Sequence, residues 1–388
     1  MIDPTRWKSL HARYKDDRPH RLLALDGGGI RGLITLGILE RLEALLKERT
    51  GQSLPEYFDY IAGTSTGAII AAGLARGLSV AQLIDFYTSC GEEMFESSHL
   101  WERVKFFYNA DPLKQKLQTV FGAATDLSPE NLKCLLLVVT KNVTTDSPWP
   151  ISSNPDARYN DSTRRDCNLK IPLWQLVRAS TAAPVFFPPE ILHWDANDPS
   201  KTFVFVDGGV TPHNNPAFLL YRMATEPAYR LNWRTGEDRL LLVSIGTGAA
   251  ESAGATAAAP NANLFSTLKG LPGDLMYGML VEQDINCRTV GRCTYGAPLD
   301  REILDLVPRE TGDYQSPHIP LSKDLGRRFL YARYNADLSQ QGLTALGFPG
   351  VAPGQIQRMD AVENVPQLLA IGRVAGRQID AAHLGPFI

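Results

Sequence analysis

The sequence lacks the features that mark membrane-spanning and secreted proteins. Its longest apolar stretch, around Ile61–Ala75, is shorter than the roughly 18 residues that span a bilayer, and polar residues interrupt it. Met1–His20 is polar and charged and contains no apolar signal-peptide core. We therefore expect a cytoplasmic protein, with at most a peripheral association with membranes.

Cysteine pairs and metal-ligand motifs are also missing. The five cysteines form no C-x-x-C pair, and their odd number argues against a disulfide framework, so we expect reduced thiols. No H-E-x-x-H or comparable spacing occurs, and we expect neither a metal ion nor another cofactor. A formal net charge of −3 gives no reason to expect a nucleic-acid polymer as a partner.

The composition that remains is that of an ordinary globular protein. Hydrophobic residues make up 44% of the chain and charged residues 21%, which is enough apolar material for a large core. The 388 residues exceed a typical single domain, but α/β folds with insertions reach this length. Because no repeat or clean boundary divides the chain, we predict one α/β domain.

One serine lies between two glycines at a predicted strand-to-helix turn. Tyr57–Ala62 is an aromatic and β-branched run that predicts a buried strand, and an apolar helix follows from Thr66. Ser65 lies at the turn, where Gly63 and Gly67 remove side chains that would clash. This Gly-x-Ser-x-Gly pattern is that of a nucleophile elbow. For the pentapeptide alone, an ordinary polar turn is the alternative.

A second glycine-rich turn lies earlier in the chain. The predicted strand Arg21–Asp26 runs into Gly-Gly-Gly-Ile-Arg-Gly, and a helix with a leucine face follows, ending near Gly51. The pattern allows a dinucleotide fingerprint, a phosphate loop or an oxyanion hole. The phosphate loop requires Gly-Lys-Ser/Thr, which is absent. The oxyanion hole would be formed by backbone amides of Gly27, Gly28 and Gly29.

The dinucleotide interpretation makes a prediction that the sequence does not meet. It needs a second strand that ends in an acidic residue about 20 residues later. Glu48 instead lies within the predicted helix, and the next strand ends at the serine elbow. The oxyanion hole is therefore favoured, and nucleotide binding stays open as an alternative.

A third strand, Thr202–Asp207, ends in Asp-Gly-Gly. An aspartate at the carboxyl end of a buried strand points towards the crevice where α/β sheets bind ligands, although a surface Asp-Gly turn has the same sequence. Before it, Ile171–Ser180 predicts a short helix, and the proline-rich run Thr181–Pro189 predicts an irregular apolar segment. Large aromatics between Glu92 and Phe121 suggest a lipid-facing lid, or simply core packing.

Together these motifs resemble those of the patatin-like phospholipases. Asp26–Gly32 looks like that family's oxyanion loop, and Gly63–Gly67 looks like its nucleophile elbow. Ala182–Pro184 and Asp207–Gly209 resemble its Ala-Ala-Pro and Asp-Gly-Gly motifs, in the same order along the chain. Each motif is weak alone, and the four in order are specific.

The resemblance implies a three-layer α/β/α fold with a mostly parallel central sheet. We expect residues 1–20 to form an N-terminal extension, residues 21–250 the catalytic core, and residues 251–388 helical and irregular additions packed on the same domain. The implied activity is hydrolysis of lipid acyl esters by a Ser65–Asp207 dyad. Further residues are expected to support the site: Arg31, Gly63, Gly67, Gly208 and Gly209.

The resemblance also bears on partners. It implies a lipid or membrane-surface substrate of phospholipase A or lysophospholipase type. Some bacterial members are switched on by cyclic dinucleotides, so a cyclic-nucleotide activator is allowed here, although no sequence feature identifies its site. The rival enzyme is a conventional Ser-His-Asp esterase, for which the downstream histidines are candidates: His213, His318 and His383.

Overall fold

The computed structural model describes residues 4–94, 111–184, 186–195, 197–249, 264–299, 326–360 and 362–388. Within them the helices are α1 Pro4–Lys15, α2 Gly32–Thr50, α3 Leu54–Tyr57, α4 Thr66–Arg76, α5 Val80–Met94, α6 Asp111–Phe121, α7 Leu173–Ser180, α8 Ala217–Thr225, α9 Leu264–Val290, α10 Gln340–Ala345, α11 Pro353–Ile356 and α12 Val365–Gly376. The strands are β1 His20–Leu25, β2 Tyr60–Thr64, β3 Leu135–Asn142, β4 Ser147–Ser152, β5 Glu190–His193, β6 Thr202–Asp207, β7 Leu240–Ile245, β8 Arg292–Tyr295 and β9 Leu330–Tyr334.

These strands form one sheet in the order β5-β6-β3-β2-β1-β7-β9-β8, and β4 pairs with β3 off this path. The pairs β1–β2, β1–β7, β2–β3, β7–β9 and β8–β9 are parallel. Only the pairs involving β4, β5 and β6 are antiparallel among the described strands. The predicted mostly parallel sheet is confirmed.

Helices cover both faces of this sheet. Along β1, Leu23 and Leu25 belong to one buried apolar cluster, to which α2, α4, α5 and α12 contribute. Leu22 and Ala24 belong to a second cluster, to which α1 and α8 contribute. Successive side chains of a strand point to opposite faces, so each cluster fills the space between the sheet and one helical layer. The predicted three-layer α/β/α architecture is confirmed.

The register of β3 brings two other strands to the same place. β2 pairs with β3 up to Thr64 opposite Val139. One residue further along β3, Thr140 pairs with Asp207 at the end of β6. The ends of β2 and β6 therefore meet beside neighbouring residues of β3, and this positions the site.

Two predicted boundaries are wrong. The strand expected from Tyr57 begins at Tyr60, because Ser53 and Glu56 form a capping box that starts the short helix α3. The polar composition of Ser147–Arg165, with its prolines and asparagines, predicts a loop, but the segment begins with strand β4 at the edge of the sheet. The helix after Gly32 ends at the left-handed Gly51, as predicted, and the helix from Thr66 ends in the same way at Gly77.

The C-terminal part of the chain continues the sheet. β9 pairs with β7, and β8 pairs with β9. Helix α12 packs closely on α2, and glycines at the contact allow this approach. A Cβ at Gly37 would lie only 2.6 Å from the Arg373 backbone nitrogen, and a Cβ at Gly372 only 2.4 Å from the Ile34 backbone oxygen. The described residues beyond 250 are therefore integrated with the sheet and its helical layer.

The aromatic segment interpreted as a lid lies largely outside the described residues. Its large side chains are all among those not described: Phe95, Trp101, Lys105, Phe106, Phe107 and Tyr108. The lid stays a prediction from sequence. Among the helices that are described, none has the length and apolar character needed to cross a membrane.

Candidate active site

Ser65 occupies the sharp turn between β2 and α4. Its φ of 54° and ψ of −123° are unusual for a residue with a side chain. A Cβ at Gly63 would lie 2.1 Å from the Gly67 oxygen, and one at Gly67 would lie 2.3 Å from the Leu25 oxygen. The two glycines thus allow strand and helix to approach closely enough for the turn to form.

The backbone of this turn is fixed by a side chain from α7. The Ser65 amide donates to Ser180 Oγ at 2.9 Å, and the Ser180 hydroxyl donates to the Val139 oxygen at 2.6 Å. Ser180 is fully buried, so it links the turn to the central strand β3. Ser180 was not predicted from the sequence, although it lies just before the Ala-Ala-Pro motif.

Asp207 faces Ser65 directly. The Ser65 hydroxyl donates to Asp207 Oδ2 at 2.6 Å, and the Gly209 amide donates to Oδ1 at 2.6 Å. The Asp207 amide donates to the Ala182 oxygen at 2.9 Å, which ties it to the Ala-Ala-Pro segment. At Gly208, a Cβ would lie 2.3 Å from the Val139 oxygen, so only glycine fits beside β3. The serine and the aspartate predicted from separate motifs are in contact.

Asp207 is buried, with 5% of the residue exposed. Burial raises its pKa to about 6, although hydrogen bonds from Ser65 and Gly209 and the charge of Arg178 favour the ionised form. A carboxylate with this pKa is ionised at neutral pH and is a much stronger base than an exposed aspartate. Asp207 is therefore suited to accept a proton from the hydroxyl that it contacts.

The glycine loop lies beside the serine. A Cβ at Gly27 would be 3.2 Å from the Ser65 Cβ. The Gly27 amide, however, donates to the Asn214 oxygen at 3.1 Å, and the Gly27 oxygen accepts from the Thr247 hydroxyl at 2.9 Å. Within the described residues, the Gly28 and Gly29 amides donate to no protein acceptor. Of the three predicted donors, Gly28 and Gly29 are thus available for a ligand oxygen, and Gly27 is not.

Arg31 contacts this loop. Its Nε lies 3.4 Å from the Gly28 oxygen and its Nη1 lies 3.3 Å from the Gly248 oxygen. These long hydrogen bonds join the glycine loop to the segment that follows β7. The contacts favour the loop-supporting interpretation of Arg31 over contact with a substrate headgroup.

Comparisons with known proteins agree with the motifs. A family model described as patatin-like phospholipase matches residues 23–221, just over half of the chain. The chain belongs to the patatin-like phospholipase family. Among similar proteins, a cGAMP-activated phospholipase of Vibrio cholerae is 32% identical over 213 residues, which cover 51% of this chain and 56% of that protein. Patatin-T5 of Solanum tuberosum is 29% identical over 58% of this chain and 60% of its own length.

The chain thus spans little more than half the length of these curated relatives. Among solved structures, VipD from Legionella pneumophila is similar over 91% of this chain and 67% of that chain, with 15% identity and a TM-score of 0.34.

In this patatin-like chain, Ser65 and Asp207 line a mostly apolar pocket. Asp207 and Asp360 are the charged residues among the described residues that line it. The pocket's apolar walls come from α4, α6, the Ala-Ala-Pro segment and the C-terminal region: Ile69, Leu113, Ala183, Phe186, Phe187 and Met359. Such a pocket suits a hydrocarbon chain held next to a reactive hydroxyl.

The C-terminal contribution to the patatin-like site was not predicted. Met359 and Asp360 line the pocket, and the Ile30 amide donates to the Met359 oxygen at 2.9 Å. Gly29 has a φ of 61°, and a Cβ there would lie 2.3 Å from that same oxygen. No local motif marks residues 358–360, so only the folded chain reveals this contact.

The histidines of the rival triad do not join the dyad in the described residues. His213 does not line the pocket, and its backbone oxygen, rather than its ring, accepts from the Thr64 hydroxyl at 2.7 Å. The His383 ring lies 3.0 Å from the Tyr334 hydroxyl and stacks on Tyr295. His318 lies outside the described residues. The Ser65 hydroxyl instead donates a hydrogen bond directly to Asp207.

Within the residues that the structure describes, no group of three or more histidine, cysteine, aspartate or glutamate side chains is arranged to hold a metal ion.

Proposed function

We propose that this protein is a serine lipid acyl hydrolase of phospholipase A or lysophospholipase type that uses a Ser65–Asp207 dyad. The observation that carries the proposal is the 2.6 Å hydrogen bond from the Ser65 hydroxyl to Asp207, both of which line an apolar pocket. Membership in the patatin-like phospholipase family supports a lipid substrate. We expect the substrate to be presented at a lipid surface, and we expect no cofactor.

The reaction would proceed through an acyl-enzyme. Asp207 accepts the hydroxyl proton as Ser65 Oγ attacks the ester carbonyl, and the tetrahedral oxyanion forms. The oxyanion collapses, the C–O bond to the alcohol breaks, and protonated Asp207 gives its proton to that alcohol. Water then attacks the acyl-enzyme, with Asp207 again as the base, and releases the fatty acid and free Ser65.

The oxyanion would bind to the amides of Gly28 and Gly29. Both lie on the loop beside Ser65, and neither donates to another described protein group. Losing one such donor typically slows a reaction about 100- to 1,000-fold. Because the Gly27 amide already donates to Asn214, we assign Gly27 to holding the loop rather than to contacting substrate.

A covalent probe tests the nucleophile. A fluorophosphonate should label Ser65, and Ser65→Ala should abolish both labelling and the release of fatty acid from mixed phospholipid micelles. Ser53→Ala is the matched control, because Ser53 caps helix α3 and its hydroxyl donates to Glu56 rather than to either residue of the dyad. Labelling of another serine, with Ser65→Ala still active, would overturn the assignment.

We further propose that a cyclic dinucleotide activates this hydrolase. The proposal is supported by two similar proteins, from Vibrio cholerae and Escherichia coli, that are named cGAMP-activated phospholipases and are each 32% identical over the matched region. An activator that binds the native state must raise the melting temperature. We expect cGAMP to raise it and to increase lipid hydrolysis, whereas AMP should do neither. Hydrolysis at full rate, with no thermal shift by cGAMP, would contradict this regulation.

A further inference from the structure

A buried ion pair joins the glycine loop to the C-terminal region. Asp26 is the residue between β1 and Gly27, and it is fully buried. Arg333 of β9 is 3% exposed, and its two terminal nitrogens lie 2.9 and 2.5 Å from the two carboxylate oxygens of Asp26. This bidentate geometry fixes the orientation of the carboxylate plane as well as its distance from the guanidinium.

The sheet register explains how Arg333 reaches Asp26. β7 lies between β1 and β9, with Ser244 paired to Ala24 on one side and to Arg333 on the other. Two strand spacings, about 10 Å, therefore separate the backbones of β9 and β1. The small side chain of Ser244 leaves room for the guanidinium to cross β7, and its hydroxyl lies 2.7 Å from Arg333 Nη1.

Arg333 is the cation that hydrogen-bonds the Asp26 carboxylate. Within the described residues, no other side chain donates a hydrogen bond to it. The Asp26 backbone is also confined. The Asp26 amide donates to the Ile245 oxygen at 3.1 Å, and the Asp26 backbone oxygen lies so close to Gly67 that a Cβ there would be 2.6 Å away. Because Asp26 directly precedes the glycines, a shift of Asp26 would move the peptide units that carry the Gly28 and Gly29 amides.

We propose that Arg333 is a positioning residue for ester hydrolysis, which holds the oxyanion-binding glycine loop in place through Asp26. The inference rests on the proposed function of that loop. Arg333 lies outside residues 23–221, the region that the family model matches. The C-terminal strands would thus be part of the catalytic machinery, because a displacement of about 1 Å in a reacting group can cost on the order of 100-fold in rate.

The test uses variants that leave no buried charge unpaired. In Asp26→Asn/Arg333→Gln both charges are removed together, since deleting one alone strands the other in the interior. Arg333→Lys keeps the charge but loses the planar fork that bridges both oxygens. The matched control is Asp59→Asn/Arg13→Gln at the opposite, amino edge of the sheet, where Nε of the partly exposed Arg13 lies 2.8 Å from the buried Asp59 carboxylate.

We expect the double variant at Asp26 and Arg333 to lower kcat on a soluble short-chain ester by about 100-fold, with KM within about threefold. Arg333→Lys should lie between this variant and the wild type. A trifluoromethyl ketone, which mimics the oxyanion, should bind more weakly by a similar factor. The Asp59→Asn/Arg13→Gln control should keep kcat within about threefold of the wild type, even if its melting temperature falls as far as that of the Asp26→Asn/Arg333→Gln variant.

Three results would overturn the role of Arg333. The first is an unchanged kcat in both Asp26→Asn/Arg333→Gln and Arg333→Lys. The second is a change in KM alone. The third is a loss of rate that disappears when the assay is run well below the melting temperature of the variant. Fluorophosphonate labelling of wild-type Ser65 separates this inference from the proposed function. An unlabelled wild type overturns both, whereas a labelled wild type with an unaffected variant overturns only the inference.

Discussion

Two aspartates buried at opposite edges of the sheet have opposite surroundings. Asp59 precedes β2 at the amino edge and is contacted by Arg13 Nε at 2.8 Å, by Arg18 and by the Arg21 amide at 2.9 Å. Asp207 ends β6 at the carboxyl edge and accepts only from a hydroxyl and an amide among the described residues.

The pKa values of the two carboxyl groups differ accordingly. Burial disfavours the charge of Asp59, but the His20 ring, with Nδ1 3.5 Å from Asp59 Oδ2, and the charges of Arg13 and Arg18 hold its pKa well below the usual range. For Asp207 burial outweighs its hydrogen bonds and the charge of Arg178, and its pKa is raised to about 6. One carboxylate is neutralised by cations and stabilises the fold, whereas the other is left basic beside a serine.

The largest expected effect of this difference is on catalysis. Asp207→Asn removes the base and should lower kcat on a soluble ester by at least about 1,000-fold, close to the effect of Ser65→Ala. Asp59→Asn should leave kcat within about threefold, because its partners lie at the other edge. Initial rates with purified variants measure both, and equal losses would erase the distinction between the two aspartates.

Asp59→Asn should have the larger effect on stability. The substitution leaves Arg13 and Arg18 without their carboxylate, and we expect the free energy of unfolding to fall by roughly 3 to 5 kcal/mol at pH 7. A depressed pKa stabilises the fold above the unfolded-state value of about 3.9, and that contribution is lost as the pH falls below it. The difference between variant and wild type should therefore shrink in acid. Urea unfolding at pH 7 and pH 3 measures it.

Asp207→Asn should change stability with the opposite sign. A pKa raised to about 6 means that the folded state disfavours the ionised carboxylate, so wild-type stability declines as the pH rises from about 4 through 6. The variant should be more stable than the wild type by about 2 to 3 kcal/mol at pH 8 and by little at pH 4. Equal differences at both pH values would show that Asp207 titrates normally.

Much of the fold was predictable because its signals are local. Thr202–Asp207 was predicted with its observed bounds, since an apolar strand run meets two glycines there. β4 was missed because Pro148 and Pro150 argue against a strand. Both prolines lie on a strand whose only described partner is β3, and an edge strand tolerates residues that lack an amide hydrogen.

The site was predictable only in part, for the same reason. Ser65 and Asp207 each lie in a turn with its own sequence signature, so each was identified without knowing that they touch. The partners that hold the glycine loop carry no such signature. Asn214 and Arg333 contact it from 187 and 307 positions away in the chain. Strand order, rather than local pattern, brings them to the loop.

The smallest expected effect is that of His213→Ala, which separates a dyad from a triad. Burial and the charge of Arg222 lower the pKa of His213 to about 4, so the ring is neutral at pH 7 and a weak proton acceptor. The contact with Thr64 uses the backbone oxygen, which alanine retains. We therefore expect kcat to fall by less than about tenfold, below the 100- to 10,000-fold usual for a general base. His383→Ala is the matched control, because the His383 ring contacts the hydroxyl of Tyr334 on β9. It should likewise lower kcat by less than about tenfold. If His213→Ala alone were as damaging as Ser65→Ala, a histidine would be the base, and Asp207 would orient it instead.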